Sequence, residues 1–450
     1  MKEYRYPVSY YLAILGFILF SLVFWYFILG KSSEPTVKVV DSPHAQAGAT
    51  EPSIGARQES SLLPITADNI IIDESSKRKL VSNLVNIAIK DTSARIDEFI
   101  QAFNTSFDTS RYHLRYTDTT LNYLQVTVPD VERTQFKESV KHAVKNMDLL
   151  VWDEYLFTRQ VSLNNRVEAW HQQEINIDPD RYKNLGAGVT IAVIDNGFDL
   201  NHPSLKGKSV VPYNVFYGNA DVKPASVNHG SHVASIALGN STLVKGICEN
   251  CSLMPIQVED PNGYTSSSYI IRGILYAIKH KADVINLSLG LALADQENIP
   301  LGLQEEFIKN GAKDETDFWK ELFAYAKKNN TVCVLAAGNS SMMTGFDPFQ
   351  RSEFTIKVGA LNKDGAVADF SNYGRYTTLF APGVGILGAK PNNQSEVLDG
   401  TSMAAPVVAG YVALLKAKYP KASSTDLYNL LLTNTVIEGN HRILKNKTLN

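Results

Sequence analysis

Three short segments of the 450-residue chain carry groups suited to acyl transfer. Asp195 ends an apolar run in VIDNGFDLNHPSL, His229 opens a helix-like run in NHGSHVASIALG, and Ser402 stands at the start of another in GTSMAAPVVAG. A serine hydroxyl is a poor nucleophile until a base takes its proton. An imidazole does this well only when a third group fixes its tautomer and stabilises its cation. Ser402, His229 and Asp195 have the chemistry for these roles in turn. A helix beginning at Ser402 would aim its N-terminal N–H groups and dipole at a developing negative charge. Asn339, in AAGNS, adds an amide donor. Taken singly, each residue has a plainer reading: an Asp after a strand is usually a turn or cap residue, and A-A-G-N-S is ordinary turn chemistry. The weight therefore rests on the combination.

These groups need a scaffold that brings distant segments together. From Gly188 onward, uninterrupted apolar runs end in polar residues: VTIAVID (189–195), ADVINLSLG (282–290) and TVCVLAAGN (331–339). Such runs suit strands buried on both faces of a parallel sheet. Between them lie helical stripes, Ile271, Ile274, Leu275 and Ile278 in one and Phe318, Leu322 and Ala326 in another, which predicts an α/β, doubly wound, mostly parallel sheet. Ligands of such sheets sit beyond the carboxyl ends of the strands, where Asp195, Gly290 and Asn339 fall.

The chain before this domain divides further. Between about residues 80 and 160 the hydrophobic period switches from strand to helix and back. Val85, Ile87 and Ile89 alternate. Ile96, Phe99, Ile100, Phe103 and Phe107 follow helical spacing, as do Phe136, Val140, Ala143, Val144 and Met147. Strands are expected at 112–117, 121–128 and 149–158, giving βαββαβ, a small α+β ferredoxin-like domain. Residues 31–79, rich in Ser, Pro, Ala and Gly up to residue 61, read as a flexible linker. From Tyr6 to Gly30 no residue carries a charge, with tyrosines crowding one end and Trp25 and Tyr26 near the other, so 1–30 reads as an N-terminal transmembrane anchor. A cleaved signal peptide would have a shorter apolar core and a small-residue cleavage site. Lys+Arg 43 against Asp+Glu 46 gives a formal charge of -3 and no reason to expect a nucleic-acid partner.

With VIDNGFD, HGSHVAS, AAGN and GTSMAAPVVAG in this order, the chain resembles the subtilisin-like serine proteases from about Arg166 to Leu432. The resemblance implies that Asp195 orients, His229 is the general base, Ser402 is the nucleophile, and Asn339 with the Ser402 N–H forms the oxyanion hole. It implies that Ser288, Leu289 and Gly290 bind peptide or protein substrates as an added β-strand. His232 and His202 are expected to be structural. Ser231, Ser235 and Val407 depart from the family's usual Thr, Gly and His without touching a proposed catalytic atom. The segment 291–316 is longer than usual and reads as a solvated surface insertion. The chemistry needs no cofactor. Structural calcium is common in the family, but the loop between Ala234 and Gly246 that often contributes ligands is short, so a metal is left open. Cys248 and Cys251 could be a local disulfide or two thiols, and Cys333 a buried packing residue.

In the same light the 80–160 unit becomes a propeptide that inhibits the 161–450 catalytic domain, with self-cleavage between about Tyr155 and Asn165. That implies export, a single membrane pass through the N-terminal helix, and an extracytoplasmic protease that cleavage releases. The alternatives are an inactive protease-like binding protein and an active enzyme with a permanent regulatory N-terminal domain.

Overall fold

The computed structural model describes residues 62–449, apart from residue 63 and the stretches 91–94, 145, 160–161, 165–169, 179–181, 183–184, 226–227 and 295–298. The membrane anchor expected at 1–30 and the linker as far as residue 61 lie outside the described residues. Among the described residues no helix is long and apolar enough to cross a membrane.

The βαββαβ order expected before the main domain is observed: β1 (Arg78–Ile89), α1 (Ile96–Ser106), β2 (His113–Asp118), β3 (Tyr123–Thr127), α2 (Arg133–Ala143) and β4 (Leu149–Arg159). The strands are antiparallel in the order β4-β1-β3-β2. Period-2 alternation sends Val85, Ile87, Leu124 and Val126 to one face, where Phe99, Phe103, Phe136 and Val140 of the two helices cover them. Leu84, Ala88, Tyr123 and Trp152 point the other way and are buried as well, against the larger domain.

Order begins earlier than the composition suggests. The flexible linker expected over 31–79 gives way well before residue 79, because long-range partners hold the chain. Leu62 and Ile65 are buried. The Ile65 N–H donates to the Asp260 carboxylate at 2.7 Å, and Ile70–Asp73 pairs antiparallel with the start of β1.

The larger domain contains β5 (Ser162–Asn164), β6 (Thr190–Asp195), α3 (His229–Leu238), β7 (Ser252–Gln257), β8 (Thr265–Ser266), α4 (Ser267–Lys279), β9 (Val284–Leu287), β10 (Leu289–Leu291) and α5 (Leu301–Asn310). It continues through α6 (Lys313–Lys328), β11 (Val332–Ala336), β12 (Thr355–Leu361), β13 (Leu379–Pro382), β14 (Ile386–Lys390), β15 (Gln394–Asp399), α7 (Thr401–Lys418) and α8 (Ser424–Thr433). The central strands run in parallel in the order β13-β12-β11-β9-β6-β7. Residues of α3 and α7 pack with Ile191 and Val193 on one face. Those of α4 and α6 pack with Ala192 and Ile194 on the other. Strands β9 and β11 are buried throughout, which is why their sequences show no alternation. β6 lies between β7 and β9, so the strand order reverses at its carboxyl end, where Asp195 stands.

The solvated insertion expected over 291–316 holds for α5, where only Gln304 and Ile308 are buried, but not for the two ends of the segment. At the first end the Lys79 N–H donates to the Ala292 carbonyl and the Ala294 N–H to the Lys77 carbonyl, each at 2.9 Å. At the other, Glu315 near the start of α6 is buried. Both ends are covered by the N-terminal unit, which the local sequence cannot announce.

Candidate active site

The site forms where α3 and α7 begin, beside the ends of β6 and β9. Gly230 permits the approach: a Cβ there would lie 2.4 Å from the Gly197 carbonyl oxygen and 3.0 Å from Asp195 Cβ. His229 can therefore close on β6, and its Nδ1 sits 2.8 and 3.0 Å from the two Asp195 carboxylate oxygens. The carboxylate is itself fixed, accepting from the Asn196 N–H at 2.8 Å, while the Asn196 side-chain oxygen accepts from the Gly230 N–H at 3.0 Å. A carboxylate at Nδ1 assigns the proton to that nitrogen, which leaves a lone pair on Nε2. Among the described residues His229 Nε2 has no hydrogen-bond partner.

Ser402 is the second residue of α7, in the turn whose N–H groups have no intrahelical partners. Its hydroxyl donates to the Ser288 carbonyl at 2.9 Å, and the Ser288 hydroxyl donates back to the Ser402 carbonyl at 2.9 Å. Proton transfer thus requires the Ser402 hydroxyl to turn from Ser288 to His229, a change compatible with catalytic contacts that tighten only around substrate. Asn339 is aimed from behind: its Oδ1 accepts from the Thr401 N–H at 2.9 Å and the Thr401 hydroxyl at 2.8 Å, which leaves Nδ2 as the donor end of the amide. The preceding Gly338 has φ +107°, and a Cβ there would stand 2.3 Å from the Asn372 amide nitrogen. The orienting Thr401 and Asn196 were not singled out in the sequence, although both adjoin residues that were.

Asp195, His229 and Ser402 have no exposed surface. The cleft is covered by the N-terminal unit's own last strand. β4 pairs antiparallel with β10, setting Arg159 opposite Leu289, Thr158 opposite Gly290 and Phe157 opposite Leu291. On its other side β4 pairs with β8. Beyond the cleft, β5 pairs antiparallel with β15, Ser162 opposite Asp399. Of the three expected substrate-binding residues, Leu289 and Gly290 pair with β4, whereas Ser288 contacts the nucleophile.

His202 and His232 are buried and hydrogen-bonded. His202 bonds to the Ser204 hydroxyl at 2.7 Å and the Gln394 carbonyl at 2.8 Å. His232 Nε2 lies 3.2 Å from the Glu396 carbonyl, and burial pushes its pKa down to about 3. The departures are absorbed locally. Ser231 accepts from the Asp199 N–H at 2.7 Å, Ser235 bridges the His232 carbonyl and the Ala389 N–H at 2.8 Å each, and Val407 is core. Cys248 and Cys251 form a disulfide, and burial pushes the Cys333 thiol up to about 12. Among the described residues no three His, Cys, Asp or Glu side chains form a metal-binding group.

The subtilase family model matches residues 186–448. A thermophilic serine proteinase of Bacillus sp. (strain AK1) is 34% identical over 310 residues, covering 65% of this chain and 71% of that protein. Subtilisin amylosacchariticus of Bacillus subtilis subsp. amylosacchariticus is 34% identical over 269 residues, 57% of this chain and 62% of its own. Fervidolysin from Fervidobacterium pennivorans shares the fold at 20% identity and a TM-score of 0.64, covering 86% of this chain and 64% of its own. That coverage extends beyond the family match and into the N-terminal unit. These homologues and the shared fold support a serine endopeptidase, and the chain belongs to the subtilase family of serine peptidases.

Proposed function

We propose that the chain is a serine endopeptidase made as a self-processing zymogen, with the N-terminal α/β unit as its intramolecular inhibitor. The observation that carries this reading is the strand pairing on either side of residues 160 and 161: β4 lies on β10, next to Ser288, and three residues later β5 lies on β15, which ends three residues before Ser402. Residues 160 and 161, between them, are outside the described residues. The cut falls between Arg159 and Ser162, inside the wider window expected from the sequence.

In the reaction, His229 Nε2 takes the Ser402 proton as the hydroxyl oxygen attacks the scissile carbonyl. The Asn339 amide and the Ser402 N–H hold the oxyanion, and His229 returns the proton to the leaving amine. Water then repeats the sequence on the acyl-enzyme. Asp195 holds the ring through Nδ1 and stabilises the imidazolium. No cofactor takes part. The same reading makes residues 1–30 a membrane anchor on the inhibitor's side of the cut, with the protease outside the cytoplasm, so cleavage removes the covalent link between enzyme and membrane.

The test compares the full chain with Ser402→Ala. Wild type should yield a new N-terminus between residues 160 and 162 and label with a serine-directed phosphonate. Ser402→Ala should remain uncut and unlabelled, with activity lower on the order of 10⁶-fold, the scale known for this triad in subtilisin itself. An Ser402→Ala chain cut as completely as wild type, with host proteases excluded, would falsify self-processing. An unlabelled wild type would favour the inactive binding protein, and a labelled but uncut one the permanent regulatory domain.

A further inference from the structure

Glu259 is a carboxylate in the cleft that the catalytic chemistry does not use. It lies just past β7, whose last residue Gln257 pairs with Asp195, and the Val258 N–H donates to the Asp195 carbonyl at 2.9 Å. That position sets Glu259 beside the triad on the side where β4 enters. Its carboxylate is 3.6 Å from the guanidinium of Arg159, with side-chain exposures of 10% and 23%. Among the described residues it makes no hydrogen bond with the larger domain. Burial, with the negative charges of Asp195 and Asp260, pushes its pKa up to about 7, and Arg159 acts in the opposite direction. A half-buried acid with acidic neighbours is poorly stabilised when the cleft is empty and is relieved by a cation on the incoming strand.

The register says which position supplies that cation. Arg159 opposes Leu289, and side chains alternate along an extended strand, so Thr158 points away from the face that Glu259 reads. We propose that Glu259 makes the cleft selective for Arg or Lys at the substrate position opposite Leu289, the place Arg159 fills in the inhibited state. The substrates would then be polypeptides with a basic residue one to three positions before the cut. This rests on the proteolytic reading above and deepens it.

The test uses the full chain after self-processing and peptides spanning residues 153–165 of this protein, with Arg159 kept or replaced by Lys, Gln or Glu. Close charge pairs across an interface can be worth tenfold or more. The Arg and Lys peptides should exceed the Gln peptide about tenfold in kcat/KM, with the Glu peptide lower still. In Glu259→Gln the Arg-to-Gln ratio should fall to within about twofold of unity. Equal turnover of all four peptides by wild type, or an unchanged ratio in Glu259→Gln, overturns the proposal while leaving the protease intact. Absence of turnover together with absence of phosphonate labelling brings down the proteolytic reading and this proposal with it. A second measurement does not depend on how well Glu259→Gln folds: Arg159→Gln in the full chain should slow self-processing by a similar factor, and processing at the wild-type rate counts against Glu259.

Discussion

The N-terminal unit meets the larger domain in two regions built on different principles. Along the cleft, β4 lies on β10 through main-chain pairing, which accepts almost any side chain, and Arg159 at its end faces Glu259. On the helical face the contacts are specific and deeply buried. The Arg78 guanidinium donates to both Glu315 carboxylate oxygens at 2.7 Å, with side-chain exposures of 0% and 1%, and lies 3.3 Å from the centre of the Tyr155 ring. Trp152 and Phe318 pack at 4.6 Å and Phe157 and Phe349 at 5.5 Å between ring centres. Glu154 accepts from the Ser268 N–H at 3.2 Å and hydroxyl at 2.6 Å, placing a negative charge at the N-terminus of α4. The cleft contact can thus be cut and exchanged for substrate, while the helical face identifies one partner. A cut between Arg159 and Ser162 touches none of the helical contacts, so inhibition should outlast cleavage.

The sharpest way to break this division of labour is at Arg78. Removing one member of a buried ion pair strands the other and costs about 3–5 kcal/mol, or roughly 10²- to 10⁴-fold in binding. In wild type the cleaved unit should co-elute with the enzyme on gel filtration and activity should appear slowly. In Arg78→Ala the unit should separate and activity appear early. Changing Arg78→Met together with Glu315→Leu should restore much of the retention, because an apolar pair leaves no stranded charge. Retention of the Arg78→Ala unit equal to wild type would shift the weight of inhibition back to the cleft.

A change confined to the other region should do the reverse. Asn339→Ala removes one oxyanion donor, and kcat on a peptide should drop about 10²- to 10³-fold; the equivalent change in subtilisin is the reference case for an effect of this size. KM and retention of the N-terminal unit should barely move, since neither uses that donor. A comparable rise in KM would mean that Asn339 binds substrate in the ground state.

The two regions also differ in how far they could be read in advance. The cleft was legible because its chemistry needs particular residues in fixed local settings: Asp195 at a strand end, a glycine after His229, a Gly-Thr pair before Ser402. The parallel sheet was legible because strands buried on both faces cannot alternate. The helical face left no such mark. Leu80, Tyr123 and Phe318 are ordinary apolar residues whose partners lie far away in sequence, and an Arg at 78 next to a polar linker suggests solvent until Glu315 is seen beside it. Order in residues 64–79 and the packing of the two ends of the 291–316 segment escaped for the same reason, since both depend on an opposing surface. The disulfide was left open because spacing alone does not separate it from two thiols.

Acid should move the two regions in opposite directions. Near the triad, burial pushes His171 down to about 4 and His232 down to about 3. An unfolded histidine takes up a proton near pH 6.5 while these two remain neutral, so their contribution to stability is lost as pH falls below that value, at about 1.4 kcal/mol per pH unit for each. Next to Arg78 and Glu315, burial pushes the Asp347 carboxyl up to about 7. Here the folded state holds the proton and the unfolded state does not, so the penalty of burying a charge disappears as pH falls from 7 toward 4, with the opposite slope. Urea midpoints measured from pH 7.5 to 5.0 on a Ser402→Ala background, which prevents autolysis, can separate the two. Against that background His171→Gln should gain relative stability as the solution is acidified, and Asp347→Asn should lose it. Difference curves of the same sign would mean that one of the two groups is not held in the protonation state its burial dictates, and flat curves that neither is.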